Sequence, residues 1–149
     1  MVSIAVCDDE LLDCLTISAQ IRTIMEEMGA AFCVEQFQSG RELLKSLGRF
    51  DVIFLDILME GMDGMETARQ CRRMAFDRML VFFSSSRDYV FDAYDVEAFH
   101  YLVKPVDEGK FCEVFQGACR EVRRLENARG GQLFFQTKTR NFTVQKKDI

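Results

Sequence analysis

A chain of 149 residues, 48% hydrophobic and 29% charged, fits one ordinary globular domain with room for a short piece of something else. No apolar run approaches the roughly 20 residues a membrane helix needs, and the amino end lacks the basic, apolar and small-residue order of a signal peptide, so a cytoplasmic protein with no membrane partner is expected. The formal charge of −5 is uneven: residues 1–119 hold 11 basic and 21 acidic side chains, net −10, and residues 120–149 hold 8 and 3, net +5, so the acidic body is a poor ligand for nucleic acid by itself.

Val2 to Cys7 is short, apolar and β-prone, and it runs into Asp8-Asp9-Glu10, a strand ending in an acidic loop. Leu11, Leu12, Leu15, Ile21, Ile24, Met25 and Met28 then recur largely at three- and four-residue spacing before Gly29, which predicts a helix burying that stripe. Phe32 to Phe37 reads as a second strand. Ser39-Gly40-Arg41-Glu42 has the form of a capping box and predicts a short helix through Leu47. Asp51 to Asp56 reads as a buried strand, and Asp63-Gly64-Met65-Glu66 opens a helix carrying Met65, Ala68 and Cys71 inward. Met79 to Phe83 is a fourth buried strand, followed by Ser84-Ser85-Ser86, a helix over Val90 to Asp95, and a fifth strand from Phe99 to Val103 that Lys104-Pro105 stops. Phe111, Val114, Phe115, Ala118, Val122 and Leu125 form a last helical stripe.

Near-continuous apolar strands alternating with helices predict an α/β fold, a doubly wound five-stranded parallel sheet covered on both faces. Residues 127–131, with Gly130-Gly131, are the one linker candidate. Beyond them, Leu133-Phe134-Phe135 and Phe142-Thr143-Val144 around Lys138-Thr139-Arg140-Asn141 suggest a hairpin that needs further chain to fold. The expected division is thus 1–126, 127–131 and 132–149.

In open parallel sheets ligands bind outside the carboxyl ends of the strands. The polar residues collect there: Asp8 and Asp9 after strand one, Asp56 after strand three, Ser84 after strand four, and Lys104 after strand five beside the only proline. Three carboxylates brought together oppose one another's ionisation unless a cation joins them. Oxygen-only ligands point to magnesium, with manganese as a substitute. A carboxylate can also act as a nucleophile toward phosphorus, which suits Asp56, with Lys104 neutralising the charge that is transferred.

The acidic pair in Cys7-Asp8-Asp9-Glu10, the segment Asp56-Ile-Leu-Met-Glu-Gly-Met-Asp-Gly64, Ser84 after an apolar strand and Tyr101-Leu-Val-Lys104-Pro105 resemble, in order and spacing, the receiver domains of two-component response regulators over residues 1 to about 125. The resemblance implies a flavodoxin-like strand order 2-1-3-4-5 and phosphorylation of Asp56 by a sensor histidine kinase. It also implies a magnesium ion held by Asp8, Asp9, Asp56 and the carbonyl of Leu58, and a cis bond between Lys104 and Pro105. Ser84 binds the phosphoryl group in this reading and Tyr101 is the partnered switch aromatic. Together they alter the face made by helix four, strand five and helix five, leading to a phosphorylation-dependent homodimer. The implied protein is a signalling switch, not a turnover enzyme. Two departures stand out: Glu60 occupies a position where the family often has proline, and Leu58 and Ser86 fill the two positions that tune phosphoryl lifetime. Residues 132–149 resemble the opening of a LytTR-type DNA-binding domain, and Asp88 to Val96 resembles the receivers that precede such domains, implying a transcriptional regulator that meets DNA through a further C-terminal domain.

Other chemistries fit less well. A haloacid-dehalogenase-type phosphatase resembles a site with a second aspartate two residues after the nucleophile, where Leu58 stands. A flavin or nucleotide binder needs phosphate-contacting backbone or hydroxyls after strand one, where Asp8-Asp9 repels phosphate lacking a metal. A pseudo-receiver used only for protein interaction is disfavoured because each expected acidic and basic member is present. Six cysteines without a C-x-x-C, and one histidine, argue for reduced thiols over a disulfide or zinc framework. His100 reads as an ordinary strand residue.

Overall fold

The structure is a computed structural model that describes the backbone of residues 1–139 and side chains through residue 128. Five strands, β1 (Val2–Cys7), β2 (Phe32–Phe37), β3 (Val52–Leu55), β4 (Met79–Ser84) and β5 (His100–Val103), form one sheet in the order β2-β1-β3-β4-β5. Every neighbouring pair is parallel. Helices α1 (Leu11–Met28), α2 (Gly40–Lys45), α3 (Gly64–Arg73), α4 (Val90–Asp95) and α5 (Glu108–Thr139) connect and flank the strands. This is the doubly wound sheet that the alternation of apolar runs and helical stripes predicts.

The two-residue period of the strands sorts their side chains between two cores. Ile4, Val6, Val52, Phe54, Val81 and Phe83 pack toward α1 and α5, where Phe54 meets Phe111 and Phe115 at ring distances of 5.3 and 5.9 Å. Ala5, Cys7, Ile53, Leu55, Leu80 and Phe82 face the other layer, with Leu43 of α2, Met65, Ala68 and Cys71 of α3, and Ala93 of α4. Because both faces of the central strands are dry, their sequences lack the alternation of a half-exposed strand.

Local chemistry sets the helix ends. Ser39 Oγ accepts from the Glu42 amide at 3.2 Å, and Asp63 Oδ1 accepts from the Glu66 amide at 2.9 Å, each satisfying a first-turn donor. Gly29 ends α1 at φ 65°, in the left-handed region a glycine enters without steric cost.

Two expectations differ from what is observed. The buried face of α1 is Cys14, Ile17, Ser18, Ile21, Ile24 and Met25, while Leu11, Leu12, Leu15 and Met28 are exposed, Leu12 by 72%. A leucine-weighted stripe overlooks Cys14 and Ser18, which follow the three- and four-residue spacing of the observed face. Ser18 is accommodated there because its Oγ accepts from Gln36 Nε2 at 3.1 Å. The second difference lies in α5, which continues through Gly130-Gly131 to Thr139, so Leu133-Phe134-Phe135 are helical where a strand was expected. A helix satisfies the backbone groups of this segment locally, with no partner strand required. The other half of that hairpin, Phe142-Thr143-Val144, lies outside the described residues.

All six cysteines are free. No helix among the described residues is long and apolar enough to cross a membrane.

Candidate phosphoacceptor and metal site

The carboxyl ends of β1, β3 and β5 meet at one edge of the sheet. β1 pairs with β3 from Ile4↔Val52 to Cys7↔Leu55, so the residues that follow, Asp8 and Asp56, emerge side by side. The Asp56 amide donates to the Cys7 carbonyl at 2.9 Å and carries the pairing one step past the strand. One carboxylate oxygen from each of Asp8, Asp9 and Asp56 lies within 4.8 Å of the others. Asp8 and Asp56 are almost wholly buried, at 0% and 3% exposure, whereas Asp9 is half-buried.

Lys104 enters from the end of β5. Its amide donates to the Ser84 carbonyl at 2.9 Å, and the Lys104–Pro105 peptide bond is cis. Its ammonium donates to Asp8 Oδ2 at 3.0 Å and stands 3.6 Å from Asp56 Oδ1. Burial disfavours the ammonium, but its hydrogen bonds to Asp13 and Asp8 hold Lys104 well above the usual lysine range. Asp56 is pushed the other way from an ordinary carboxylate: burial first, then the Asp8 charge, raises its pKa to about 7 against the pull of Lys104. Its Oδ1 is buried without a hydrogen-bond partner. A buried carboxyl oxygen without a hydrogen bond, beside a second buried carboxylate, is the arrangement that a hard cation satisfies, so the residues fit a divalent oxygen-ligated ion.

The loops that carry these groups are tightly held. Gly64 packs on the Asp56 peptide so closely that a Cβ there would fall 1.9 Å from the Asp56 carbonyl oxygen. Asp8 Oδ1 accepts from the Glu10 amide at 2.9 Å. Asp9 Oδ2 accepts from the Glu60 amide at 2.9 Å, a bond that a proline at position 60 lacks the donor to make, so the Glu60 departure ties the loop after β3 to the acidic pair.

Ser84 is buried at the tip of β4, and its Oγ accepts from the Ser86 amide at 3.2 Å. Tyr101 is half-buried on β5, its hydroxyl donating to the Ser86 carbonyl at 2.5 Å and its ring 6.2 Å from that of Phe82. Ser86 therefore bridges the serine and the aromatic, a connection that the linear sequence does not reveal. Asp13 is the other addition. It lies in the first turn of α1 and hydrogen-bonds Lys104 at 2.8 Å, a pairing of residues far apart in the chain that no local sequence pattern signals. His100 sits on β5, its Nδ1 accepting from the Tyr101 amide at 3.0 Å, and it is not one of the groups that converge at the acidic edge.

The profile of the response regulator receiver domain matches residues 4–116. The chain belongs to this family. Sensory transduction protein LytT of Bacillus cereus is 32% identical over 118 residues, 78% of this chain and 46% of that protein. Transcriptional regulatory protein NatR of Bacillus subtilis is 24% identical over 149 residues, 100% of this chain and 62% of that protein. The crystal structure of the response regulatory domain of protein mrkE from Klebsiella pneumoniae superposes with a TM-score of 0.73 at 26% identity, covering 82% of this chain and 98% of that one. The chain spans about half the length of the curated relatives it matches.

Proposed function

We propose that this chain is the phosphoaccepting receiver of a cytoplasmic response regulator, with Asp56 as the phosphoacceptor and a sensor histidine kinase as the donor. The observation that carries the reading is the convergence of Asp8, Asp9 and Asp56 within 4.8 Å, with the Lys104 ammonium on the same cluster. Asp8, Asp9, Asp56 and the Leu58 carbonyl would hold magnesium, or manganese in its place. When bound, the ion neutralises the carboxylates and the oxygens of the incoming phosphoryl group.

An Asp56 carboxylate oxygen attacks phosphorus, forming an acyl phosphate while the bond from phosphorus to the donor histidine nitrogen breaks, and the leaving imidazole takes a proton from solvent. Lys104 is placed to neutralise the transferred oxygens, and Ser84 is the hydroxyl that turns to meet them. If Ser84 Oγ leaves the Ser86 amide for the phosphoryl group, the Ser86 backbone that also receives the Tyr101 hydroxyl is loosened. Tyr101 can then rotate and shift a pre-existing equilibrium of the face formed by α4, β5 and α5 toward a homodimer.

The output we infer is transcription regulation through a LytTR-type DNA-binding domain that begins within residues 132–149, after a receiver of residues 1–126 and a linker of 127–131 that is helical as part of α5. The similarity to the transcriptional regulatory protein NatR through all 149 residues and the net positive charge of residues 120–149 support this output. Incubation of the chain with magnesium and acetyl phosphate, read by intact mass, is expected to add a single phosphoryl group that Asp56→Asn abolishes. An adduct that survives this substitution would reject the assignment.

A further inference from the structure

The shortest contact of the Lys104 ammonium is with a residue outside the carboxylate trio. Asp13 Oδ2 lies 2.8 Å away, against 3.0 Å for Asp8 Oδ2 and 3.6 Å for Asp56 Oδ1. An ammonium has three N–H donors. Two are taken by Asp13 and Asp8; the third leaves Asp56 Oδ1, buried and without a hydrogen bond, at ion-pair distance only. Asp13 sits in the first turn of α1 with its side chain 41% exposed, and it is not one of the three carboxylates that converge on a common point.

An ammonium and a divalent cation compete for the same carboxylate oxygens and repel each other. Each anion that draws the ammonium off Asp56 weakens that competition. Resting on the phosphoacceptor reading above, we propose that Asp13 is a positioning residue that holds Lys104 away from Asp56, so that Asp56 Oδ1 stays open to a divalent cation. Without Asp13, the ammonium is released from that hold and can close from 3.6 Å into hydrogen-bond range of Asp56 Oδ1, and the cation must displace it.

The test is titration of the 149-residue chain with magnesium alone, by calorimetry, in wild type, Asp13→Asn, Lys104→Met and the double variant. Asp13→Asn is expected to weaken binding about fivefold, the scale of a partly exposed ion pair. In the Lys104→Met background the same change should matter less than about twofold, because the residue acts through the lysine. Asp13→Glu should restore wild-type affinity, and Asp13→Ser offers a second neutral replacement at this exposed position. Equal weakening in both backgrounds would reduce Asp13 to a source of negative field and overturn the proposal, as would no weakening at all. Wild type that binds magnesium and takes one phosphoryl group on Asp56 while Asp13→Asn binds equally well would sink this inference alone. Wild type that binds no magnesium would remove the reading on which it rests, and the inference with it.

Discussion

Asp56 has a carboxyl whose folded pKa, about 7, stands above the 3.8 of an unperturbed aspartate because burial and the neighbouring Asp8 charge oppose its ionisation. The folded protein therefore keeps a proton that the unfolded chain has released across that interval. The associated stability is complete below the unfolded value and is lost as pH rises through the folded one. In metal-free buffer at pH 8, Asp56→Asn is expected to melt higher than wild type by on the order of 5 °C. The gap should narrow at pH 5, and saturating magnesium should raise the wild type far more than the variant. Parallel melting profiles from pH 5 to 8 would show that Asp56 ionisation does not burden the fold. On the phosphoacceptor proposal, an oxygen poorly satisfied in the resting protein gains most when it acquires a cation or a phosphoryl group.

Between elements, Arg72 is a junction. From the last turn of α3 its Nε donates to the Val96 carbonyl at 2.8 Å, Nη1 to those of Phe76 and Arg78 at 2.8 and 3.0 Å, and Nη2 to that of Glu97 at 2.9 Å. Its guanidinium also lies 5.7 Å from the centre of the Phe76 ring. One side chain thus joins α3, the turn leading to β4 and the turn between α4 and β5, where Glu97 takes a positive φ of 57°. Arg72→Ala should cost about 2–4 kcal/mol in urea unfolding, since it leaves several carbonyls short of a donor. Arg72→Lys should recover only a minor part, because an ammonium on a flexible stem does not reproduce the planar fork. Full recovery by lysine would mean that charge, not geometry, holds these turns together.

At the scale of the whole molecule, α4 is short and shows its large apolar side chains to solvent, with Phe91 and Tyr94 exposed by 87% and 83%. Only Ala93 of this helix is buried. A helix so lightly anchored is one whose position a small change at Ser86 can bias, because few buried contacts must be remade. Ser84→Ala removes the hydroxyl at the start of that path. Phosphorylation of this variant is expected to proceed while the accompanying rise in dimer fraction, measured by analytical ultracentrifugation, is lost. A phosphorylation-driven dimer that forms undiminished in Ser84→Ala would refute the route through Ser86 and Tyr101.

The sheet, its four crossovers and the acidic edge were legible in the chain itself. Strands dry on both faces must be almost uniformly apolar, and the abrupt change to Asp8, Asp56, Ser84 and Lys104 marks where each strand leaves the core. The inward face of α1 was only half legible, since leucines on its outer side outweigh Cys14 and Ser18 in any reading by hydrophobicity. The course of residues 127–139 turns on whether strands find partners, which no local pattern states. Three features rest on tertiary structure alone: the hold of Asp13 on Lys104, the donation of the Glu60 amide to Asp9, and the bridging of Ser84 and Tyr101 by Ser86. Periodicity reports which way a side chain faces within its own element. Which groups from different strands and loops come within 3 Å depends on register and loop path, and those are determined only when the elements pack.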